Sequence, residues 1–338
     1  MRVVITGATG NVGTSVIGAL QDDARIESIL GIARRHPRLA IAKTEWAEAD
    51  VSRADLAPLF QGADAVVHLA WLIQPSRSMS LLRATNVTGS ARVFEAVAEA
   101  KVPSLVYASS VGAYSPGPKD RRVDESWPTE GIPSSFYSRH KAEVERLLDR
   151  FEADHPGTRV VRLRPALIFK RESAAEQRRL FAGPLLPSFL MNPRFIPVVP
   201  SNERLCFQAV HSDDVGEAYH LAIVSDVRGA FNIAAEPELD GAELGRLLHA
   251  RPIPFPGSLL RGLAALTWHL RLQPSPPGWV DMAFGVPLMD VARARQELGW
   301  APRHSAGQAL LELFEGMRKG AGIDTPPLSS DSGLLTGN

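Results

Sequence analysis

Met1-Arg-Val-Val-Ile-Thr-Gly-Ala-Thr-Gly-Asn-Val-Gly13 opens the chain and decides its fold. An apolar run over residues 3–5 leads straight into Gly7, Gly10 and Gly13, and Val12, Val16 and Leu20 then recur every four residues. Strand, glycine turn and helix in that order seat a pyrophosphate on a helix N-terminus, where free backbone N–H groups and the helix dipole meet negative charge. Gly7 makes the tight turn, Gly10 lets the backbone approach the phosphates, and Gly13 permits close helix–strand packing. Such spacing also fits an ordinary βα turn. The strand before it and the helix after it favour a dinucleotide site, with Thr9, Asn11 and Val12 in the same loop.

Working outward, the alternation continues. Strands are expected at 3–6, 29–33, 65–69, 104–108 and 160–164, and helices at 11–20, 55–60, 82–100, 135–153 and 213–225. Continuous apolar runs such as Ala65-Val-Val-His-Leu69 suit strands buried on both faces, hence a parallel sheet with helices on each side. The expected class is α/β, a Rossmann-type doubly wound sheet. After about residue 170 prolines become frequent, and a smaller, mixed C-terminal lobe is expected. The division is a dinucleotide-binding domain over 1–169, with 205–235 returning to it and a strand at 207–210. A substrate lobe follows from 170–204 and 236–318. Residues 319–338, rich in Gly, Ser, Pro and Thr, read as a disordered tail.

Lysine plus arginine equals aspartate plus glutamate at 37 each, so neither nucleic acid nor an acidic membrane surface is indicated as a partner. Cys206 is the sole cysteine, which precludes an internal disulfide and fits a reducing compartment. No signal-like segment precedes the first strand, and a cytoplasmic location is expected. The longest apolar stretch, 259–272, is broken by Arg261, His269 and Arg271; its Leu259, Leu263, Leu266 and Leu270 share one helical face, expected to be buried in the core or an interface.

Two further groups carry chemistry. Tyr137 and Lys141 are four residues apart, on one face of the expected helix. A free phenol titrates near about 10, and a neighbouring ammonium lowers that value. Such a pair can exchange a proton beside a carbonyl or alcohol, although the spacing also arises by chance on helix surfaces. Ser109 and Ser110 follow the strand Ser104–Ala108 at its carboxyl end, where ligands of open α/β sheets lie. They could orient a substrate oxygen or simply cap backbone groups.

Together these pieces resemble the extended short-chain dehydrogenase/reductase family, also called the NAD-dependent epimerase/dehydratase family, over roughly residues 1–316. Thr6-Gly-Ala-Thr-Gly-Asn-Val-Gly13 resembles its cofactor loop, Asp50-Val51 its adenine-contacting pair, and His68-Leu69-Ala70 the turn beside the cofactor. Asn86-Val-Thr-Gly89, Ser109-Ser110-Val-Gly-Ala-Tyr114, Tyr137 with Lys141, and Leu163-Arg-Pro165 follow in the family's order. Val210-His-Ser-Asp-Asp-Val215 and Leu298-Gly-Trp-Ala-Pro302 match two late signatures. The resemblance implies Ser110, ahead of Ser109, as catalytic serine and Tyr137 as acid/base. It implies that Lys141 holds the nicotinamide ribose and lowers the tyrosine pKa. Asn86 is implied either to order the site or to serve the structure alone. The cofactor's nicotinamide exchanges hydride with a substrate carbon, while the protein supplies position and proton traffic. No metal is implied. A homodimer through the helices at 82–100 and 135–153 is.

Enzymes of this fold that use NAD place an acid about 20 residues past the glycines. Here the segment Gly31-Ile-Ala-Arg34-Arg35 offers guanidinium groups instead, which suit a 2′-phosphate. NADP is therefore expected, with Arg34 the better contact and NAD the alternative. Members acting on nucleotide sugars carry polar grips where this chain has Leu167 and Phe207-Gln208-Ala209, and sugar dehydratases carry an acidic pair where Val111-Gly112 follows Ser110. The expected function is reduction of a small-molecule carbonyl on a non-nucleotide substrate. The alternatives are a nucleotide-sugar 4-epimerase and a non-catalytic NADP sensor. Phe181, Leu185, Leu186, Phe189, Leu190, Met191, Phe195 and Ile196 suggest an apolar pocket lining or that lobe's own core. Lys170 stands where the family has Gly. Trp268, Trp279, Phe284 and Trp300 read as core.

Overall fold

The computed structural model describes residues 1–73, 78–178, 196–273 and 275–329. Seven parallel strands form the central sheet, in the order Gly229–Ile233, Arg159–Pro165, Ser104–Ala108, Ala65–His68, Arg2–Thr6, Ser28–Ala33 and Thr44–Glu48. Strand order reverses direction on either side of Arg2–Thr6, which opens a crevice at the carboxyl ends beside the glycine loop. The fold is the doubly wound α/β class expected.

The central strands are buried because helices cover both faces. Val3, Ile5, Val67, Val106 and Val161 pack on one side with Val16, Ile17 and Leu20 of the helix Asn11–Gln21. Val4, Val66, Leu105 and Val160 pack on the other with Val93, Val97, Val144 and Leu148. Two strands of the central sheet are not among the expected ones. Thr44–Glu48 is an edge strand whose residues are only partly buried, so it lacks an apolar run. Gly229–Ile233 begins at a glycine with φ +85° and pairs with Arg159–Pro165.

The strand at Phe207–His211 does not join the central sheet. It pairs in parallel with Leu167–Phe169 and antiparallel with Ala235–Leu239, forming a three-stranded satellite sheet. The following helix, Ser212–Val224, packs back against Asn11–Gln21 so closely that a Cβ on Gly216 would lie 2.5 Å from the Ser15 carbonyl oxygen. The two late motifs meet there. The Trp300 indole N–H donates to the Asp214 carbonyl at 2.7 Å, and His304 Nδ1 bonds the Asp214 carboxylate at 3.1 Å. His211 accepts the Asp213 N–H on Nδ1, which leaves its Nε2 proton for Glu312, 3.1 Å away.

Three further sequence expectations change. The helix Gly257–His269 has no buried residue; Leu259, Leu263, Leu266 and Leu270 are 46–59% exposed, so they are not core. Its ties are lateral, through an Arg261–Asp281 ion pair at 2.6 Å and Gly257 against Phe284. The segment read as a tail packs down over 321–329: Leu328 is fully buried and Thr325 nearly so, because a turn closes its backbone hydrogen bonds. Residues 330–338, like the candidate lining residues Phe181, Leu185, Leu186, Phe189, Leu190, Met191 and Phe195, lie outside the described residues. Finally, Trp279 is not plain core, as described below. Among the described residues no helix is long and apolar enough to cross a membrane.

Candidate active site

The glycine loop makes a close turn that only backbone can fill. Gly7 has φ +72°, and a Cβ there would lie 2.7 Å from the Ala70 N. A Cβ on Gly13 would lie 2.5 Å from the Ala8 carbonyl oxygen. Both positions exclude any side chain. Gly10 is the N-cap of the helix Asn11–Gln21 and has no side-chain cap, which leaves the first-turn N–H groups for an anion. A groove enclosing about 670 Å³, mouth included, opens in front of this loop. Gly7, Thr9, Gly10, Arg34, Asp50, Val51, Leu69 and Ala70 line it, together with Ile32, Ala33, Ala49, Trp71, Leu72 and Thr85. The close glycine turn and a lining drawn from four strand ends fit a dinucleotide.

Arg34 lines the groove, while Arg35 is exposed beside it and does not. Glu48, at the end of the edge strand, is committed to the His36 backbone N–H at 2.8 Å. Asp50 lies lower than an ordinary carboxylate: burial would raise it, but hydrogen bonds from Ser52 and the charges of Arg53 and Arg34 together outweigh burial. Val51 is held by Gly89, where a Cβ would lie 2.9 Å from its methyl.

Other expected cofactor residues stand outside this lining. Asn11 offers its carbonyl to Lys170 at 3.1 Å, and its Nδ2 reaches the Ile168 carbonyl at 3.5 Å. Val12 packs against the core. Asn86 sits in a π-turn, Ala84–Thr88, within the helical run that begins at Met79. Its side chain is spent on the backbone of Leu72, accepting from N–H at 2.7 Å and donating to C=O at 2.9 Å. Asn86 thus fixes the turn that lines the groove. Lys170 is buried, with its amine on Asn11, Thr14 and Ser15 at 2.7–3.1 Å, and burial lowers its pKa. It braces the first turn of the phosphate helix.

Ser110, Tyr137 and Lys141 are also outside this lining; Trp71, which lines the groove, touches Lys141 and Tyr137. Ser110 N-caps a short turn and accepts the Gly112 N–H at 3.0 Å. Ser109 points the other way: its hydroxyl bonds Glu145 within a buried cluster of Arg162, Arg164 and Tyr114. The two adjacent serines thus have different partners. Burial pushes the Tyr137 phenol up to about 12, with the Ser110 hydroxyl pulling it back. Burial brings Lys141 down to about 7 against the nearby Glu145 charge. Lys141 Nζ donates to the Ala108 carbonyl at 2.6 Å and lies 5.8 Å from the Tyr137 ring centroid. Burial dominates the tyrosine shift, and the Ser110 hydroxyl opposes it.

Two aromatics missed as site residues flank Tyr137. Trp71 covers Lys141, its ring centroid 3.6 Å from Nζ, and meets the Tyr137 ring edge-on at 6.0 Å. Trp279 lies 5.2 Å from the Tyr137 ring and is tilted 33° to it. Trp71 directly follows the His68-Leu69-Ala70 motif, so its position was a usable signal; nothing local marks Trp279. Behind them, His68 is neutral, its pKa depressed to about 3 by burial and then by Lys141. It bonds Thr6 at 2.7 Å and Ser90 at 2.9 Å, a structural link between the first strand and the helix that carries Asn86.

Comparisons with known proteins agree with this architecture. An uncharacterized protein of Mycobacterium tuberculosis is 26% identical over 326 residues, covering 96% of this chain but 31% of the relative, so this chain spans about a third of its length. A 4-hydroxy-2-methyl-3-oxo-4-farnesyl-3,4-dihydroquinoline-1-oxide ketoreductase of Stigmatella aurantiaca is 27% identical over 179 residues, 52% of each chain. Among solved structures, a UDP-glucuronic acid 4-epimerase from Bacillus cereus, in complex with UDP-glucuronic acid and NAD, superposes with a TM-score of 0.70 at 16% identity over 94% of this chain and 99% of that one. MoeE5 in complex with UDP-glucose and NAD superposes at 0.67 with 20% identity, over 95% and 99%. At these identities the structural likeness speaks to fold. The model of the NAD dependent epimerase/dehydratase family matches residues 3–234, and the chain belongs to that family of NAD-dependent enzymes.

Proposed function

We propose that this enzyme moves hydride between a nicotinamide cofactor and the carbon of a ketone or secondary alcohol, on an apolar, ring-bearing substrate that is not a nucleotide sugar. The observation that carries the proposal is the contact of the Tyr137 ring with both Trp71 and Trp279. Aromatic walls beside the phenol favour an apolar ring over a hydrated sugar. The positions where sugar-nucleotide enzymes grip a diphosphate support the same choice. Leu167 and Phe207 pack toward the core, and Gln208 is spent on Met289, accepting its N–H at 2.7 Å and donating to its carbonyl at 3.0 Å.

In this reading Ser110 holds the substrate oxygen and Tyr137 passes it a proton. Lys141 binds the ribose and, when charged, stabilises the phenolate. The bound nicotinamide supplies the hydride. Arg34 recognises a 2′-phosphate, so NADP is the proposed cofactor. Two copies pair through the helices at 82–100 and 135–153, in the cytoplasm.

A second reading, a nucleotide-sugar 4-epimerase, is favoured by the Bacillus cereus and MoeE5 structures, whose bound ligands are UDP-sugars and NAD. One experiment separates the two. Purified protein is incubated with NADPH or NADH and a panel of cyclic and prenylated ketones, and separately with UDP-glucose and UDP-glucuronic acid, with Tyr137→Phe alongside. Nucleotide oxidation on the ketones, reduced about 10²–10⁴-fold in the variant, supports the reductase. A C4-inverted sugar seen by NMR, without net nucleotide oxidation, supports the epimerase. Nucleotide binding with no turnover on either panel would leave the sensor.

A further inference from the structure

The groove has a second wall that comes from neither the glycine loop nor the central sheet. Glu176, in the short helix Ala174–Gln177, and Pro327, in the C-terminal segment, line the same cavity as Gly7, Thr9, Gly10, Arg34 and Asp50. The helix Ala306–Lys319 fastens both. It lies so close to the Arg171 turn that a Cβ on Gly316 would sit 2.2 Å from the Arg171 carbonyl oxygen and 2.9 Å from the Ala174 side chain. Beyond it Gly320 takes φ +63° and reverses the chain, and the Ala321 N–H donates to the Gly316 carbonyl at 2.9 Å. The segment then closes on itself. The Ile323 N–H donates to the Leu328 carbonyl at 3.2 Å, and the N–H groups of Leu328 and Ser329 donate to the Thr325 carbonyl at 3.1 and 2.9 Å. Leu328 is fully buried and Thr325 is 1% exposed.

A closed turn with a buried leucine and a proline of fixed φ is a stiff element, not a fraying end. From its place on the groove we infer that residues 324–329 form a strap across the cofactor site, which retains a bound nicotinamide dinucleotide and sets its rate of release. The inference deepens the proposed function and rests on the reading of this groove as the dinucleotide site. It also bears on the reaction. A redox-neutral epimerase regenerates its cofactor in place and tolerates slow release. A net reductase exchanges its cofactor every turnover, so opening of the strap would limit its kcat.

The test reads release and needs no turnover. NADPH or NADH is bound to the protein without substrate and displaced by excess non-fluorescent nucleotide in a stopped-flow fluorimeter. Leu328→Asp puts a carboxylate in a fully buried position and frees the strap, truncation after Gly320 removes it, and Pro327→Ala trims the wall alone. Release is expected to be about 10-fold faster in the first two and about 2–5-fold faster in the third, with k-off carrying the change in affinity. Unchanged release in all three overturns the inference. So does tighter binding after truncation, which would make the segment a competitor of the nucleotide. If Leu328→Asp and the truncation fail to fold, Pro327→Ala, checked by its unfolding midpoint, decides alone. Failure of the proposed reaction is read separately, from turnover by Tyr137→Phe.

Discussion

Gly112 leaves the space that Tyr137 occupies: a Cβ at Gly112 would lie 2.8 Å from Cε1 and 3.1 Å from Cδ1 of the tyrosine ring. The contact is fixed from both sides. The Gly112 N–H is held by Ser110 and its carbonyl accepts the Ser138 hydroxyl, one residue past Tyr137. The turn that presents Ser110 and the helix that presents Tyr137 are thus one rigid unit.

Gly112→Ala should therefore push the phenol out of line with Ser110 and leave the glycine loop untouched. A displacement of about 1 Å costs up to about 10²-fold in rate. Steady-state kinetics should show kcat falling about 10–100-fold with nucleotide affinity within about 2-fold of wild type. Equal activity in the variant would mean that Tyr137 is not held by this contact during turnover.

Lys141, brought down to about 7 by burial, is charged below that pH and neutral above it. In the free enzyme the ammonium that would stabilise a Tyr137 phenolate is lost as pH rises through about 7. The kcat/KM profile should show a limb falling on the alkaline side of neutrality, absent in Lys141→Arg, whose guanidinium stays charged. Stability carries the opposite sign. Between about pH 7 and the ordinary lysine value of 10.5 the unfolded chain binds the extra proton, so this group makes stability rise with pH across that window. Chemical denaturation of wild type and Lys141→Met at pH 7 and pH 9 checks it.

Glu145 neutralises two buried guanidinium groups, bonding Arg162 and Arg164 at 2.9 Å each. Burial alone would raise its carboxyl, but Arg164 and Arg162 bring it down to about 2. Glu145→Gln leaves the buried Arg164 guanidinium without its carboxylate, while Arg162 keeps Asp149 and Glu152, and urea unfolding should show a loss of about 3–5 kcal/mol. Because the folded pKa is depressed, the stabilisation is full above the ordinary value of 4.5 and is lost as pH falls toward about 2. A variant as stable as wild type at pH 7 would contradict this account of the cluster.

Arg34 lines the groove and Arg35 does not, so the two should separate by titration. Arg34→Ala is expected to weaken NADPH about 10–100-fold and NADH less than about 3-fold, the size of a lost charge-assisted phosphate contact. Arg35→Ala should weaken neither. Equal loss for both nucleotides in Arg34→Ala would point to a contact with the shared part of the cofactor.

The sheet and the glycine turn were legible in the sequence because each is a local property. An apolar run buried on both faces, a glycine with positive φ and a helix at period four are written into consecutive residues. Gly7, Gly10, Gly13 and most of the central strands were found this way. The edge strand Thr44–Glu48 was missed because its exposed positions carry no apolar run.

What only the tertiary structure decided are relations between distant segments. The capture of Ser109 by Glu145, which lies on another element, is one such relation. The commitment of Asn86 to Leu72 and the stacking of Trp279 on Tyr137 join residues whose separation follows no local period. The exposure of Leu259, Leu263, Leu266 and Leu270 shows that an apolar helical face becomes core only where another element covers it. The C-terminal segment is the converse: composition reads it as disordered, but a buried Leu328 and a closed turn offset the entropy of ordering it. Short-range sterics and periodicity are encoded residue by residue, whereas burial and side-chain partnership exist only once the chain has folded.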